Sequence, residues 1–244
     1  APTAGSLTMK LDSNTGSAYT SGTWTNHNIY IALNNGSDSL SGHQSTVYNI
    51  RGGENASDQT GSRTLTTDGT YTIMVATTDN AGNIATRSYI VKIDKTSGIL
   101  TLSPSSVDYN SFKLTAIFND EHSGVSKIEL RYLKPGESIW QKEEIVSQGD
   151  VQRIFEKEVT GLSIGGAVSA YATAYDIAGN KTESGPLNFN TRQYIIVYNA
   201  SGGMNEPADQ FKYYGVDLQL SDGTPTREGY TFQGWGISKS AINV

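Results

Sequence analysis

Cysteine is absent from the chain. That single absence excludes disulfides, Cys-ligated zinc or iron–sulfur centres and a thiol nucleophile. Charge is also scarce: 17% of residues are charged, and the 18 basic residues are outnumbered by 24 acidic ones for a net charge of -6. The basic residues are dispersed, so no stripe of Lys and Arg exists to meet a phosphate backbone, and nucleic acid is excluded as a partner. No run of about 18 apolar residues is present, which rules out a membrane-spanning helix in this sequence. Ala1 to Lys10 lacks the charged-then-apolar order of an export signal. The chain is therefore expected to begin after any such signal and to end before any anchor.

What fills the chain instead is turn chemistry and alternation. There are 26 glycines and 14 tyrosines in 244 residues, the composition of an all-β protein with many turns. The run Asp79-Asn80-Ala81-Gly82-Asn83 recurs as Asp176-Ile177-Ala178-Gly179-Asn180, each copy following an alternating strand. Both read as hairpin turns, with the glycine free to take positive φ and the aspartate capping the turn amides ahead of it. A second element, Asp-x-x-Ser-Gly, occurs at Asp38 and Asp120. Those elements lie 82 residues apart, whereas Gly82 and Gly179 lie 97 apart. The second copy of the pattern thus carries 15 extra residues, assigned to Lys134–Val159 and read as a longer solvent-facing hairpin of two charged, alternating runs.

Period-2 alternation places the strands. Leu7, Met9 and Leu11, then Ile29, Ile31 and Leu33, then Val47 to Ile50, then Tyr71, Ile73 and Val75, then Tyr89, Val91 and Ile93 give about seven strands in the first 95 or so residues, the count of an immunoglobulin-like sandwich. The polar segment from Arg51 to Arg63 is the expected mobile loop. The order repeats from Phe112, Leu114, Ala116 and Phe118 onward. The start Ser97-Gly98-Ile99-Leu100 matches Ala4-Gly5-Ser6-Leu7, so Ala1-Pro2-Thr3 reads as the remainder of an equivalent joint, with further modules expected upstream. The resulting division is 1–96, 97–190 and a third unit, 191–244, in which aromatic density rises.

In residues 1–190, the ordered set Trp24-Thr25-Asn26, Asp-x-x-Ser-Gly, Asp68-Gly69-Thr70-Tyr71, Asp-x-Ala-Gly-Asn and Ile93-Asp94-Lys95-Thr96 resembles bacterial immunoglobulin-like domains of cell-surface proteins. The second module lacks a counterpart of Trp-Thr-Asn. The third unit is similar to the Listeria-Bacteroides repeat, also called the internalin B-repeat, through Tyr194-to-Tyr198, Asn199-Ala200-Ser201-Gly202-Gly203, Tyr213-Tyr214-Gly215 and the run from Pro225 to Trp235. It departs from that repeat after Trp235, where a final strand is expected. The resemblance implies a mainly β chain: two immunoglobulin-like β-sandwiches in tandem, then a small, truncated, β-grasp-like unit. It also implies an extracellular place on a Gram-positive cell, at the surface or attached to the wall.

No catalytic, cofactor or metal residue is assigned. His27, His43 and His122 sit in polar, turn-like contexts without partners at ligand spacing. No histidine is placed by a motif to serve as base for a serine, and a sandwich without large insertions offers no cleft for a carboxylate pair. Asp38, Asp79, Asp94, Asp120 and Asp176 fall in loops, where they either cap turn amides or supply oxygen to a calcium ion at a module joint. An internal Lys–Asn crosslink would need a buried Lys, Asn and acid together. Tyr230, Phe232 and Trp235 are expected to build a small core, and Trp140 is kept as the candidate for sugar stacking. The expectation is a monomeric, non-enzymatic stalk or adhesion segment without cofactors, meeting an unknown protein or glycan ligand on host or neighbouring cells. The alternative is the accessory or carbohydrate-binding part of a secreted glycan-degrading enzyme.

Overall fold

The computed structural model describes residues 1–51 and 57–236. Part of the expected mobile loop, residues 52–56, and everything after Gly236, where a closing strand would fall, lie outside the described residues.

Seven strands make the first sandwich: β1 (Ser6–Leu11), β2 (Trp24–Thr25), β3 (Ile29–Asn34), β4 (His43–Arg51), β5 (Ser62–Leu65), β6 (Gly69–Asp79) and β7 (Ile84–Ile93). They form two sheets, ordered β1-β3-β5 and β2-β7-β6-β4. Alternation buries one side of each sheet: Leu7, Ile29, Ile31 and Leu65 from the first meet Tyr48, Ile50, Ile73, Val75 and Val91 from the second. The tryptophan element has a structural role, because Trp24–Thr25 pairs in parallel with Lys92–Ile93 and extends the second sheet.

The second sandwich contains β8 (Ile99–Ser105), β9 (Phe112–Asn119), β10 (Val125–Leu133), β11 (Gln141–Asp150), β12 (Gln152–Val159), β13 (Ala167–Asp176), β14 (Lys181–Glu183) and β15 (Leu187–Asn190). One sheet runs β12-β9-β8; the other runs β11-β10-β13-β14, with β15 also on β13. Phe112, Leu114, Ala116 and Phe118 pack against Ile128, Leu130, Val168 and Ala172. The two sandwiches share even their irregularities, since β4 on β6 shifts register between His43 and Ser45, and β10 on β13 between Val125 and Lys127.

The 15-residue extension is not a hairpin. β11 pairs with β10 and β12 with β9, so the two alternating runs belong to opposite sheets. Only Val151 separates them, too short a loop for a hairpin turn. The chain bends at Gly149 (φ 93°) and crosses between sheets, held by Asp120 N–H donating to the Val151 carbonyl (2.8 Å).

In the third unit, β16 (Gln193–Ile196) and β17 (Gln210–Tyr213) form an antiparallel pair, and Met204 bridges Thr226. None of its described residues is helical. It docks on the lower loops of the second sandwich. Gly165 N–H donates to the Tyr214 carbonyl (2.6 Å), Gly166 N–H to Thr191 Oγ1 (2.8 Å) and Arg192 N–H to the Asp108 carbonyl (3.1 Å). The rings of Tyr109 and Tyr194 stack at 4.2 Å. Trp235 packs edge-on to the buried Tyr198 at 4.8 Å, and Phe232 packs on Trp235 in turn at 5.0 Å. Tyr230 does not join them: it is 69% exposed with the Arg227 guanidinium over its ring.

Candidate functional site at the joint between the sandwiches

Both Asp-x-Ala-Gly-Asn turns close as the residue types dictate. Asp79 Oδ1 accepts the N–H groups of Ala81 (2.9 Å) and Asn83 (2.8 Å), while Oδ2 accepts Asn83 Nδ2 (2.8 Å). Asp176 repeats this with Gly179 (2.7 Å), Asn180 (2.8 Å) and Asn180 Nδ2 (2.7 Å). The Asp-x-x-Ser-Gly elements are caps too. Asp38 Oδ1 accepts Leu40 and Ser41 N–H, both at 2.8 Å, and Asp120 Oδ1 accepts His122 (3.1 Å) and Gly124 (2.7 Å). In the second sandwich the two turns are tied together, Ile177 N–H donating to the Gly124 carbonyl (2.9 Å) and Ala178 N–H to Ser123 Oγ (3.3 Å).

Into this double turn runs the end of β7. Asp94 is fully buried. Its Oδ1 caps Thr96 N–H (3.1 Å), its Oδ2 accepts Ser123 N–H (3.0 Å), and its carbonyl accepts Asn180 Nδ2 (2.9 Å). Four residues later Thr182 Oγ1 donates to the Gly98 carbonyl (3.0 Å). A Cβ at Gly98 would lie 2.3 Å from the Asn119 carbonyl oxygen and 2.7 Å from the Phe118 ring, so the connection is pressed onto β9.

This brings together three of the five loop aspartates. Carboxylate oxygens of Asp94, Asp120 and Asp176 lie within 4.8 Å of one another, all three residues buried. Among the described residues no Lys, Arg or His forms an ion pair with any of them. Two unit charges 4.8 Å apart repel by about 3 to 4 kcal/mol at an effective dielectric of about 20. Burial therefore pushes the Asp176 carboxyl up from its ordinary range against the bonds from Asn180, and the Asp94 charge pushes it further. The homologous Asp79 moves the other way, held down chiefly by its bond from the Asn83 side chain. Asp38 is likewise lowered, by the Leu40 and Ser41 amides. Chemically the joint can accept a hard cation on an all-oxygen donor set. Sequence spacing hides it, because its members lie 26 and 56 positions apart; the only local signal is that each caps a turn.

The remaining candidates stay apart from this cluster. His27 Nδ1 lies 2.8 Å from Asp12 Oδ2, an exposed pair, and His43 Nε2 meets Thr46 Oγ1 (2.8 Å). Lys95 Nζ donates to Asn28 Oδ1 (3.1 Å), but on the exposed surface, without the burial an internal crosslink requires. Gly161-Leu162-Ser163-Ile164-Gly165 has the spacing of a nucleophile elbow, yet it lies in the β12–β13 loop rather than between a strand and a helix. Trp140 is 42% exposed, its ring edge-on to Tyr171 at 5.3 Å.

No family model matches the chain, and no curated protein matches it. Among solved structures, it is similar to a tetra-tandem repeat in the extending region of a large adhesion protein (19% identity, TM-score 0.40, covering 79% of this chain and 51% of that one). It is also similar to the FN1–FN3 domains of chicken CNTN1 (13% identity, TM-score 0.32, 71% and 65% covered). A third comprises the fibronectin(III)-like modules of Clostridium thermocellum CbhA (16% identity, TM-score 0.30, 75% and 92% covered). The chain spans about half the length of the first of these. No helix among the described residues is long and apolar enough to cross a membrane.

Proposed function

We propose that this is a non-catalytic, extracellular segment of a bacterial cell-surface protein, a stiff spacer that also takes part in adhesion, whose third unit is a repeat of the Listeria-Bacteroides type on a Gram-positive cell. The observation that carries the spacer reading is the joint. Only five residues separate β7 from β8, and Asp94 among them is gripped through both its side chain and its carbonyl by Ser123 and Asn180 of the next sandwich. A linker so short and so bonded leaves little freedom to bend. The third unit is likewise docked by backbone hydrogen bonds and a tyrosine stack. With β6 eleven residues long, each sandwich adds about 35 Å along the strand direction at roughly 3.3 Å per residue. Projection of a distal group by a fixed distance is what such an array does well.

Residual dipolar couplings on the whole chain test this. One alignment tensor should fit both sandwiches; two independent tensors would overturn the stiff spacer. Adhesion is tested separately, by binding to matrix proteins, cell wall and a glycan array with Trp140→Ala as control. Saturable glycan binding lost in that variant would favour the accessory-module alternative.

A further inference from the structure

The two sandwiches differ at one edge. In the second, β10 is covered by β11, whose Val146, Ile145 and Glu144 sit opposite Lys127, Ile128 and Glu129. The seam between the sheets is closed there by Lys157 Nζ on Glu143 (2.6 Å). β4 is the counterpart of β10: it follows the same Asp-x-x-Ser-Gly turn, pairs with the strand leading into the same hairpin, and carries the bulge at the same place. Yet β4 ends its sheet.

Among the described residues, β4 is met on its outer side by one bridge alone, between Tyr48 and Gln59, with N–H to carbonyl distances of 2.9 and 2.8 Å. That bridge takes the place Glu143 holds opposite Leu130. From His43 to Val47 none of the described residues forms a strand beside it. Beside this half of the edge lies a cavity of about 500 Å³, lined by Leu33, His43, Ser45, Val47, Thr60 and Gly61, between β4 and the approach to β5. It lies on the stretch of seam that β11 covers in the second sandwich from Ile145 onward, beyond the ion pair.

We propose that the His43–Val47 edge of β4, with this cavity, is a strand-addition site for an extended peptide of another protein. The chain's own second sandwich says what fits. The incoming strand runs antiparallel to β4, bonds through its backbone, and sets an apolar side chain opposite Thr46, as Ile145 sits opposite Ile128 and packs on the core there. It must lack proline at the positions that form hydrogen-bonded pairs with β4, such as the one opposite Thr46, since those residues have to donate their N–H. Polar or charged residues suit the alternate positions, which face solvent as Glu144 and Val146 do. The requirement is one of pattern, Glu-Ile-Val-Ser being the native example.

The probe is a synthetic peptide with the sequence of residues 141–150, titrated into the isotope-labelled whole chain. Binding should shift amides from 43 to 47 and slow their hydrogen exchange, leaving 127–132 unmoved because β11 already pairs there. The same peptide with proline in place of the isoleucine should bind at least tenfold more weakly. No shift at millimolar peptide overturns the proposal, as does a proline peptide that binds equally well. Sedimentation of the chain alone completes the test: a concentration-dependent dimer that protects 43–47 would assign the edge to a second copy and overturn a foreign-peptide role.

Discussion

Removing one side chain at two matching positions isolates what the joint contributes. Asn180 Nδ2 donates to Asp176 Oδ2 within its own turn and to the Asp94 carbonyl across the joint. Asn83 Nδ2 makes the first of these bonds, to Asp79 Oδ2. Alanine at either position forfeits a hydrogen bond to a carboxylate, about 1.5 to 3 kcal/mol. Only at 180 is a second, neutral bond lost, about 0.5 to 1.5 kcal/mol, and the carbonyl it strips belongs to a fully buried residue. Asn180→Ala should therefore cost about 1 kcal/mol more than Asn83→Ala, with the excess appearing at the joint. Urea unfolding at pH 7.5 measures the difference, with unchanged m-values as the check that the unfolded state is the same. Amide exchange from Asp94 to Gly98 then locates it. Equal costs at the two positions, or an exchange pattern at 94–98 that ignores Asn180→Ala, would refute the claim that this side chain holds the sandwiches together.

Three further expectations concern other parts of the molecule. The Lys127 ammonium, with Lys142 beside it, holds the Glu129 carboxyl down to about 2; a depressed carboxylate stabilises fully above the unfolded value and loses that contribution as pH falls through the folded one. Stability between about pH 4.5 and 2 should thus fall by about 1 kcal/mol less in Glu129→Gln than in the parent, given partners half open to water, as read from acid unfolding curves. Gly98→Ala should destabilise by about 1 to 3 kcal/mol through overpacking against β9, measured as a lowered urea midpoint. Tyr109→Ala removes a stack worth about 0.5 to 1.5 kcal/mol beyond its buried area; limited proteolysis should then release residues after Asn190 while the sandwiches persist.

Strands whose one face is buried were legible because burial imposes a period of two. Ile29 and Ile31, or Phe112 to Phe118, need no partner to be recognised, and the turns announce themselves through Asp and Gly at set offsets. Topology is what alternation does not carry. The runs on either side of Val151 alternate as a hairpin would, yet they serve opposite sheets, since a single residue cannot reverse the chain but can pass it from one layer to the next. Third-unit aromatics show the same limit: Trp235 packs on Tyr198 and Phe232 on Trp235, while Tyr230, within the same run, faces solvent. The joint is half legible for a different reason. Five loop aspartates offer themselves as oxygen ligands at a module joint, but each has a sufficient local explanation as a cap, so nothing near Asp94, Asp120 or Asp176 says that these three are the ones that meet.

That second role comes from addition rather than from either sandwich alone. Counting back from the matched glycines Gly98 and Gly5, the position of Asp94 corresponds to Ala1, which carries no carboxylate to set beside Asp38 and Asp79. There the two turn aspartates are held below their ordinary range by the donors around them. In the second sandwich the same turn aspartate is driven up instead, because the strand end of the preceding sandwich buries it and adds a third acid. Crowding of charge is thus a property of two modules in contact, and it arises from the residue that also bonds across the joint through both its carboxylate and its carbonyl. A counter-charge at that cluster acts directly on Asp94, whose carbonyl and carboxylate both anchor the next sandwich. A cation held by the three carboxylates removes a repulsion between buried acids while leaving the Asp94 carboxylate charged to accept the Ser123 N–H, so the electrostatics of the joint bear directly on its hydrogen bonds.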